Sequence, residues 1–227
     1  MSDALIRDTV RRATQTMFRC ARSVSIMFRL ITYAFRQTTA VVQQLPERAA
    51  LACAPGCAFC CYHPVDITPP EAFAIIEYLR TTLSSAASET AYARIATQAS
   101  RINGLSYEEH AQARIPCALL VDGQCSVYPC RPFACRAWNS TSAACCETIF
   151  THGNPVIMLP PLDMGTYEAV WEVAHGVTDG LQRSRLDGKS YELHSILQRV
   201  LTTPEAAQRW TQGEDVFAGC TLGAFTA

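Results

Sequence analysis

The chain predicts a mainly α fold: an irregular helical domain with one small β-hairpin, preceded by a long N-terminal helix. Three observations carry this prediction. Apolar residues recur at helical spacing through the first 45 positions, capped helix starts recur downstream, and one Asp-Gly pair sits between two short apolar runs. At 227 residues the chain is about one and a half average domains long. Hydrophobic residues make up 49% and charged residues 17%, which supplies a sizeable core and excludes a disordered tail or linker.

The N-terminal stripe comprises Ile6, Val10, Ala13, Met17, Cys20, Val24, Met27, Ile31, Ala34, Val41 and Leu45, with Thr38 as its one polar break. Steps of four and three alternate, the heptad seam of one long amphipathic helix within residues 1–50, ending near Pro46. Phe18, Phe28 and Phe35 widen the face beyond a two-stranded seam. The stripe therefore suits either packing on the chain's own domain or association with a protein partner or second copy. A membrane-surface or targeting helix is disfavoured by Asp3 and Asp8.

A cysteine-rich loop follows over residues 51–65, where Pro55 and Gly56 exclude regular helix. Thr68-Pro69-Pro70-Glu71 is a capped helix start, and that helix runs to about Leu83. A second helix covers residues 89–102 and stops at Asn103-Gly104; Ser106 and Glu109 begin a short one ending near Ala113. Asp122-Gly123 turns a hairpin within residues 117–128. Residues 129–136 read as irregular loop, 142–150 as helix and 154–161 as extended. Helices then lie near residues 167–183, 190–202 and 204–212. The organisation is a helix at 1–50, a cysteine-rich domain at 51–160, and C-terminal helices at 161–227 packing on that domain.

Residues 1–50 hold eight arginines against Asp3, Asp8 and Glu47, a net of +5; since the whole chain is −1, residues 51–227 carry −6. A net charge near zero argues against generic nucleic-acid binding. The single lysine, Lys189, against 18 arginines reads as coding bias. No stretch approaches the roughly 18–20 apolar residues of a membrane span, so no transmembrane segment is expected. The first residues lack an uninterrupted apolar run, so an export signal is not expected and a reducing cytoplasm is. There, clustered cysteines bind metal or do redox chemistry more often than they cross-link.

Twelve cysteines are present. Cys53, Cys57, Cys60 and Cys61 form one group, and Cys117, Cys125, Cys130, Cys135, Cys145 and Cys146 a second; Cys20 and Cys220 lie outside both. Steps of three and four let a loop wrap a metal centre, and Gly56 permits the sharp turn. Adjacent side chains diverge in extended or turn backbone, so Cys60-Cys61 would serve two metals, two corners of a polynuclear cluster, or one ligand and one packing position. Arg131 and Arg136 flank Cys135 and would offset thiolate charge. Any one cysteine alone reads as an inert buried thiol, but ten in two tight groups on Gly/Pro loops read as metal ligands. The helical domain is thus expected to be organised around a cysteine-ligated metal site.

The run Cys53-x3-Cys57-x2-Cys60-Cys61, then Cys117-x7-Cys125-Ser-Val-Tyr128, then Arg131-Pro132-x2-Cys135-Arg136, resembles the YkgJ-like cysteine-cluster proteins, a zinc- or iron-chelating family. The resemblance implies Cys53, Cys57, Cys60, Cys61, Cys117, Cys125 and Cys135 as metal ligands, with Arg131 and Arg136 beside the bound group. A later cysteine completes the pattern, Cys145 or Cys146, with Cys146 taken as the ligand. Cys130 is additional to it. The match spans residues 53–147, under half of the chain.

Zinc or iron is a matter of chemistry. A closed zinc site needs four ligands, whereas about eight thiols with no suitably paired histidines suit an iron–sulfur cluster; Zn2+ is the alternative. His63 ranks as a secondary ligand or neighbour, and no spacing singles out His110, His152 or His194. His175 falls mid-helix in a packing or surface role. Tyr128 and Trp138 read as packing over the site. GxGxxG, Walker, HExxH and GxSxG motifs are all absent from the sequence. Three function classes remain: an iron–sulfur protein for electron transfer or a modification reaction, a structural zinc module, and a metal carrier or sensor.

Overall fold

The N-terminal stripe folds as two helices, α1 (Asp3–Cys20) and α2 (Val24–Gln43), in a computed structural model that describes residues 3–45, 50–54, 56–154 and 158–221. This corrects the single long helix. Ser23 takes extended backbone, and its hydroxyl accepts the Ile26 N–H at 3.3 Å, so a new helix starts where the old one would have continued. Burial within α1 follows Ile6, Val10, Thr14 and Phe18, a step of four rather than the alternating seam. Thr38 is no break: it is buried and its hydroxyl donates to the Phe35 carbonyl at 2.7 Å.

Downstream the chain forms α3 (Pro69–Thr82), α4 (Ser85–Ile102), α5 (Tyr107–Ala113), α6 (Phe133–Ala137), α7 (Ala143–His152), α8 (Met164–Arg183), α9 (Leu193–Thr202) and α10 (Ala206–Thr211). The fold is mainly helical, as the sequence predicts. The Glu71 carboxylate accepts the Thr68 N–H at 2.8 Å and hydroxyl at 2.7 Å to start α3. Ser106 and Glu109 complete a reciprocal box on α5, and Ser142 caps α7. The expected irregular stretch 129–136 instead holds part of a 3-10 turn, Tyr128–Cys130, followed by α6. Residues 155–157 of the expected extended segment lie outside the described residues.

α1 packs along α8 in the same direction, and the contact is close because α8 offers glycines. A Cβ on Gly176 would fall 2.7 Å from the Arg7 carbonyl oxygen and from Val10 Cβ; on Gly180 it would fall 2.4 Å from Thr14 Cβ. Arg7 Nε closes one side on Asp179 at 2.7 Å. The apolar stripe is thus used within the chain's own core. Trp210, fully buried, meets Phe18 and Phe73 at ring distances of 6.0 and 5.9 Å and joins α10 to α1 and α3.

Two antiparallel strand pairs occur among the described residues. The expected hairpin pairs β2 (Leu120–Val121) with β3 (Gln124–Cys125); Asp122 and Gly123 take φ of 49° and 74°, as a tight primed turn requires. The second, unexpected pair joins β1 (Asp66–Ile67) to β4 (Tyr191–Glu192) and ties the chain after the first cysteine group to the start of α9. No helix among the described residues is long and apolar enough to cross a membrane.

Candidate metal centre

The first cysteine group is shaped by two tight turns. Gly56 takes φ 89°, and Cys57 N–H donates to Ala54 O at 3.0 Å. A 3-10 turn, Phe59–Tyr62, then carries Cys60 and Cys61. Ser140 N–H donates to Cys53 Sγ at 3.3 Å, and Ala52 N–H to Ser140 O at 2.9 Å, which docks this loop on the segment before α7. Cys117 N–H donates to Cys61 O at 2.7 Å and joins the two cysteine groups directly.

Backbone N–H groups turn back onto several sulfurs: Phe59 onto Cys57, Leu119 and Leu120 onto Cys117, and Val127 onto Cys125. Each favours the thiolate. Burial opposes them and dominates. It raises Cys57, Cys125 and Cys146 and takes Cys117 to about 11 and Cys130 to about 12. Burial is also the main cause of the large rise at Cys135, and Cys60 is raised first by the Cys61 thiol and then by burial. Cys60 and Cys61 thus influence one another as sequence neighbours on one 3-10 turn. A bound cation would reverse this balance, because it stabilises the deprotonated sulfur.

Cys60 shares electrostatic interactions with most of the set. Cys57, Cys61, Cys117, Cys125, Cys135 and Cys146 are all within its electrostatic reach, and Cys53 joins through Cys57 and Cys146. By the same measure Cys130 joins through Cys125, so the linked set is the eight cysteines singled out in the sequence together with Cys130. The Cys146 thiol feels Cys53, Cys57 and Cys60. Cys130 neighbours Cys125 and Arg136; Cys220 sits beside Arg199, and Cys20 is exposed at the end of α1.

The two arginines play different parts. Arg131 opposes the thiols, lowering Cys60, Cys125 and Cys135, and its guanidinium stands 4.5 Å over the Tyr128 ring. Arg136 lies 4.2 Å over Phe35 and donates to the Arg131 and Pro129 carbonyls, each at 2.8 Å. It clamps the loop on which Arg131 sits. Trp138 packs beside His63, ring centres 6.2 Å apart.

Among the described residues no three thiols have their sulfurs within 4.8 Å of one another. Four thiolates on one zinc, at about 2.3 Å each, stand about 3.8 Å apart. The thiols are not drawn into a closed shell of four among the described residues.

Sequence reasoning passed over a buried group, His110, Glu192 and His194, whose ligand atoms do lie within 4.8 Å of one another. Its members come from three elements, and only Glu192-x-His194 is local. His194 Nε2 accepts the Ala118 N–H at 3.1 Å, which leaves the proton on Nδ1 to donate to Glu192 Oε1 at 2.8 Å. Glu192 Oε2 accepts the Ser195 N–H at 2.8 Å. With both ring nitrogens engaged, His194 is not set to ligate an ion; it fixes the backbone beside Cys117. His110 Nε2 is buried without a partner among the described residues.

No family model matches the chain, and no curated protein or solved structure matches it either. The resemblance to YkgJ-like proteins stands on the sequence motifs alone.

Proposed function

We propose that this protein is a metal-binding protein of the YkgJ-like family that holds an iron–sulfur cluster for electron transfer or a modification reaction. One observation supports the reading: thiols from well-separated segments interact electrostatically with Cys60, and Arg131 favours the charged form of Cys60, Cys125 and Cys135. Cys53, Cys57, Cys60, Cys61, Cys117, Cys125, Cys135 and Cys146 would supply the ligands, and N–H groups directed at Cys57, Cys117 and Cys125 would stabilise their charge. A cluster bound there supplies one-electron redox chemistry or a Lewis-acidic iron. Arg131 would offset thiolate charge; Trp138 packs beside His63, whereas Tyr128 is exposed, with the Arg131 guanidinium over its ring, and does not pack over the site as expected.

The test is anaerobic purification followed by analysis for iron, zinc and acid-labile sulfide. Iron and sulfide in comparable amounts, with absorbance near about 400 nm, are expected. Colourless protein with stoichiometric zinc would overturn the cluster in favour of a structural module or a carrier. Cys57→Ser and Cys60→Ser should lose metal, whereas Cys20→Ser and Cys220→Ser should keep it. Equal metal content in all four variants would refute the ligand assignment.

A further inference from the structure

Because α1 and α8 run in the same direction, their carbonyl ends emerge together. Between them lies an open cleft of about 650 Å³ over Phe18, lined by Arg12, Arg19, Arg22, Arg183 and Arg185 and by no carboxylate. Arg12 pairs with Asp8 at 2.7 Å, and Arg22 donates to the Ser184 carbonyl at 2.6 Å. Arg183 feels Asp179, which is itself paired with Arg7. Arg19 and Arg185 are exposed and have no partner among the described residues.

Arginines at helix C-termini have an ordinary explanation, compensation of the helix dipole. Here it is too small. Two C-termini carry about half a negative charge each, and Asp8 adds one more. Against five guanidiniums, about three positive charges stay uncompensated.

Arg185 is placed at the cleft by the way α8 ends. Leu186 N–H donates to Leu181 O at 3.0 Å and Arg185 N–H to Gln182 O at 2.9 Å, the paired bonds of a Schellman stop to α8. The first residue past the helix end in this motif takes left-handed backbone, and here it is Arg185 with φ 56°. Glycine is the usual occupant because it avoids the steric penalty. An arginine takes left-handed backbone here, as Arg114 does at the end of α5 with φ 47°, and it lines the open cleft beside four others.

We propose that this cleft binds an oligophosphate group. Guanidinium forks match phosphate oxygens two at a time, and an excess of about three charges suits a di- or triphosphate better than a single carboxylate. None of the thiols takes part, so the proposal stands apart from the metal reading.

The test is calorimetric titration of the full chain with pyrophosphate and tripolyphosphate, and with ATP in a parallel arm to separate free from nucleotide-borne phosphate. Saturable one-to-one binding is expected, weakening as salt rises from about 0.01 to about 0.15 M. Arg19→Gln and Arg185→Gly should each weaken it about tenfold or more, because each removes a charged donor. Arg185→Gly should at the same time raise the melting temperature, which separates lost binding from lost folding. Arg101→Gln, outside the cleft, should bind like the wild type. Tripolyphosphate that fails to saturate, or binds equally well to Arg19→Gln and Arg185→Gly, would overturn the proposal. Tighter binding of an acidic peptide or an oligonucleotide than of any phosphate probe would also overturn it.

Discussion

Glu71 caps α3 with one carboxylate oxygen and with the other accepts the Phe133 N–H at 2.8 Å, joining the helix after the first cysteine group to the helix that carries Cys135. An amide keeps one of those oxygens and turns the other into a donor. Glu71→Gln therefore leaves buried donors facing an N–H group, at a cost of about 1–3 kcal/mol. A urea midpoint lowered at unchanged slope, with reduced metal content, is the expected result; an unchanged midpoint would show the bridge to be dispensable. His110 gives a prediction with a pH sign. Burial lowers its pKa, with Glu192 opposing and His194 assisting, so the folded state binds a proton less readily than the unfolded chain. Its contribution to stability is complete above about pH 6.5 and is lost as pH falls toward and through the lowered folded pKa. His110→Phe should flatten that acid limb in a series of melting curves, and a limb of unchanged steepness would assign the acid sensitivity to another group.

At the scale of elements, the contact between α1 and α8 depends on atoms that are missing. Gly180→Ala gains about 1 kcal/mol of helix propensity. It also forces a Cβ to within 2.4 Å of Thr14 Cβ and 2.9 Å of the Arg11 carbonyl, where backbone cannot yield cheaply. Overpacking of that kind costs about 1–3 kcal/mol or more, so net destabilisation is expected in chemical unfolding. Gly165→Ala is the control, since its Cβ meets nothing nearer than 3.6 Å; equal midpoints for the two variants would deny the close approach. The same contact explains what the sequence made legible. Caps at Thr68, Ser106 and Ser142 and the Asp122-Gly123 turn are local chemistry, and each could be read directly. The break at residues 21–23 could not, because apolar periodicity continues in phase across it and Ser23 carries no second signal. The pairing of β1 with β4 joins residues more than a hundred positions apart, and two-residue strands leave no alternation to detect. The cysteine spacing is visible in the sequence, whereas the His110, Glu192 and His194 group is assembled only by folding.

Across the whole molecule, the buried core and the candidate centre are supplied by different parts of the chain. Met27, Leu30, Ile75, Leu79, Leu181, Tyr191 and Trp210 are fully or almost fully buried on helices and on β4, while seven of the eight proposed ligands are half-buried and Cys53 is exposed, all on loops and short elements. A metal there would tie segments around residues 53–61, 117–135 and 146 to a core that already has its own packing. Binding to the native state alone stabilises it by about 2.7 kcal/mol at a hundredfold excess over the dissociation constant. For a chain of this length that corresponds to a melting-temperature difference of about 5–11 °C. Chelation should therefore lower the melting temperature by roughly that amount and leave most far-ultraviolet helical signal intact. Amide exchange should quicken over residues 57–62 and 117–130, while α8 and α9 keep their protection. Loss of all helical signal on chelation would give the opposite answer, that the metal is a folding staple on which even the α1–α8 contact depends.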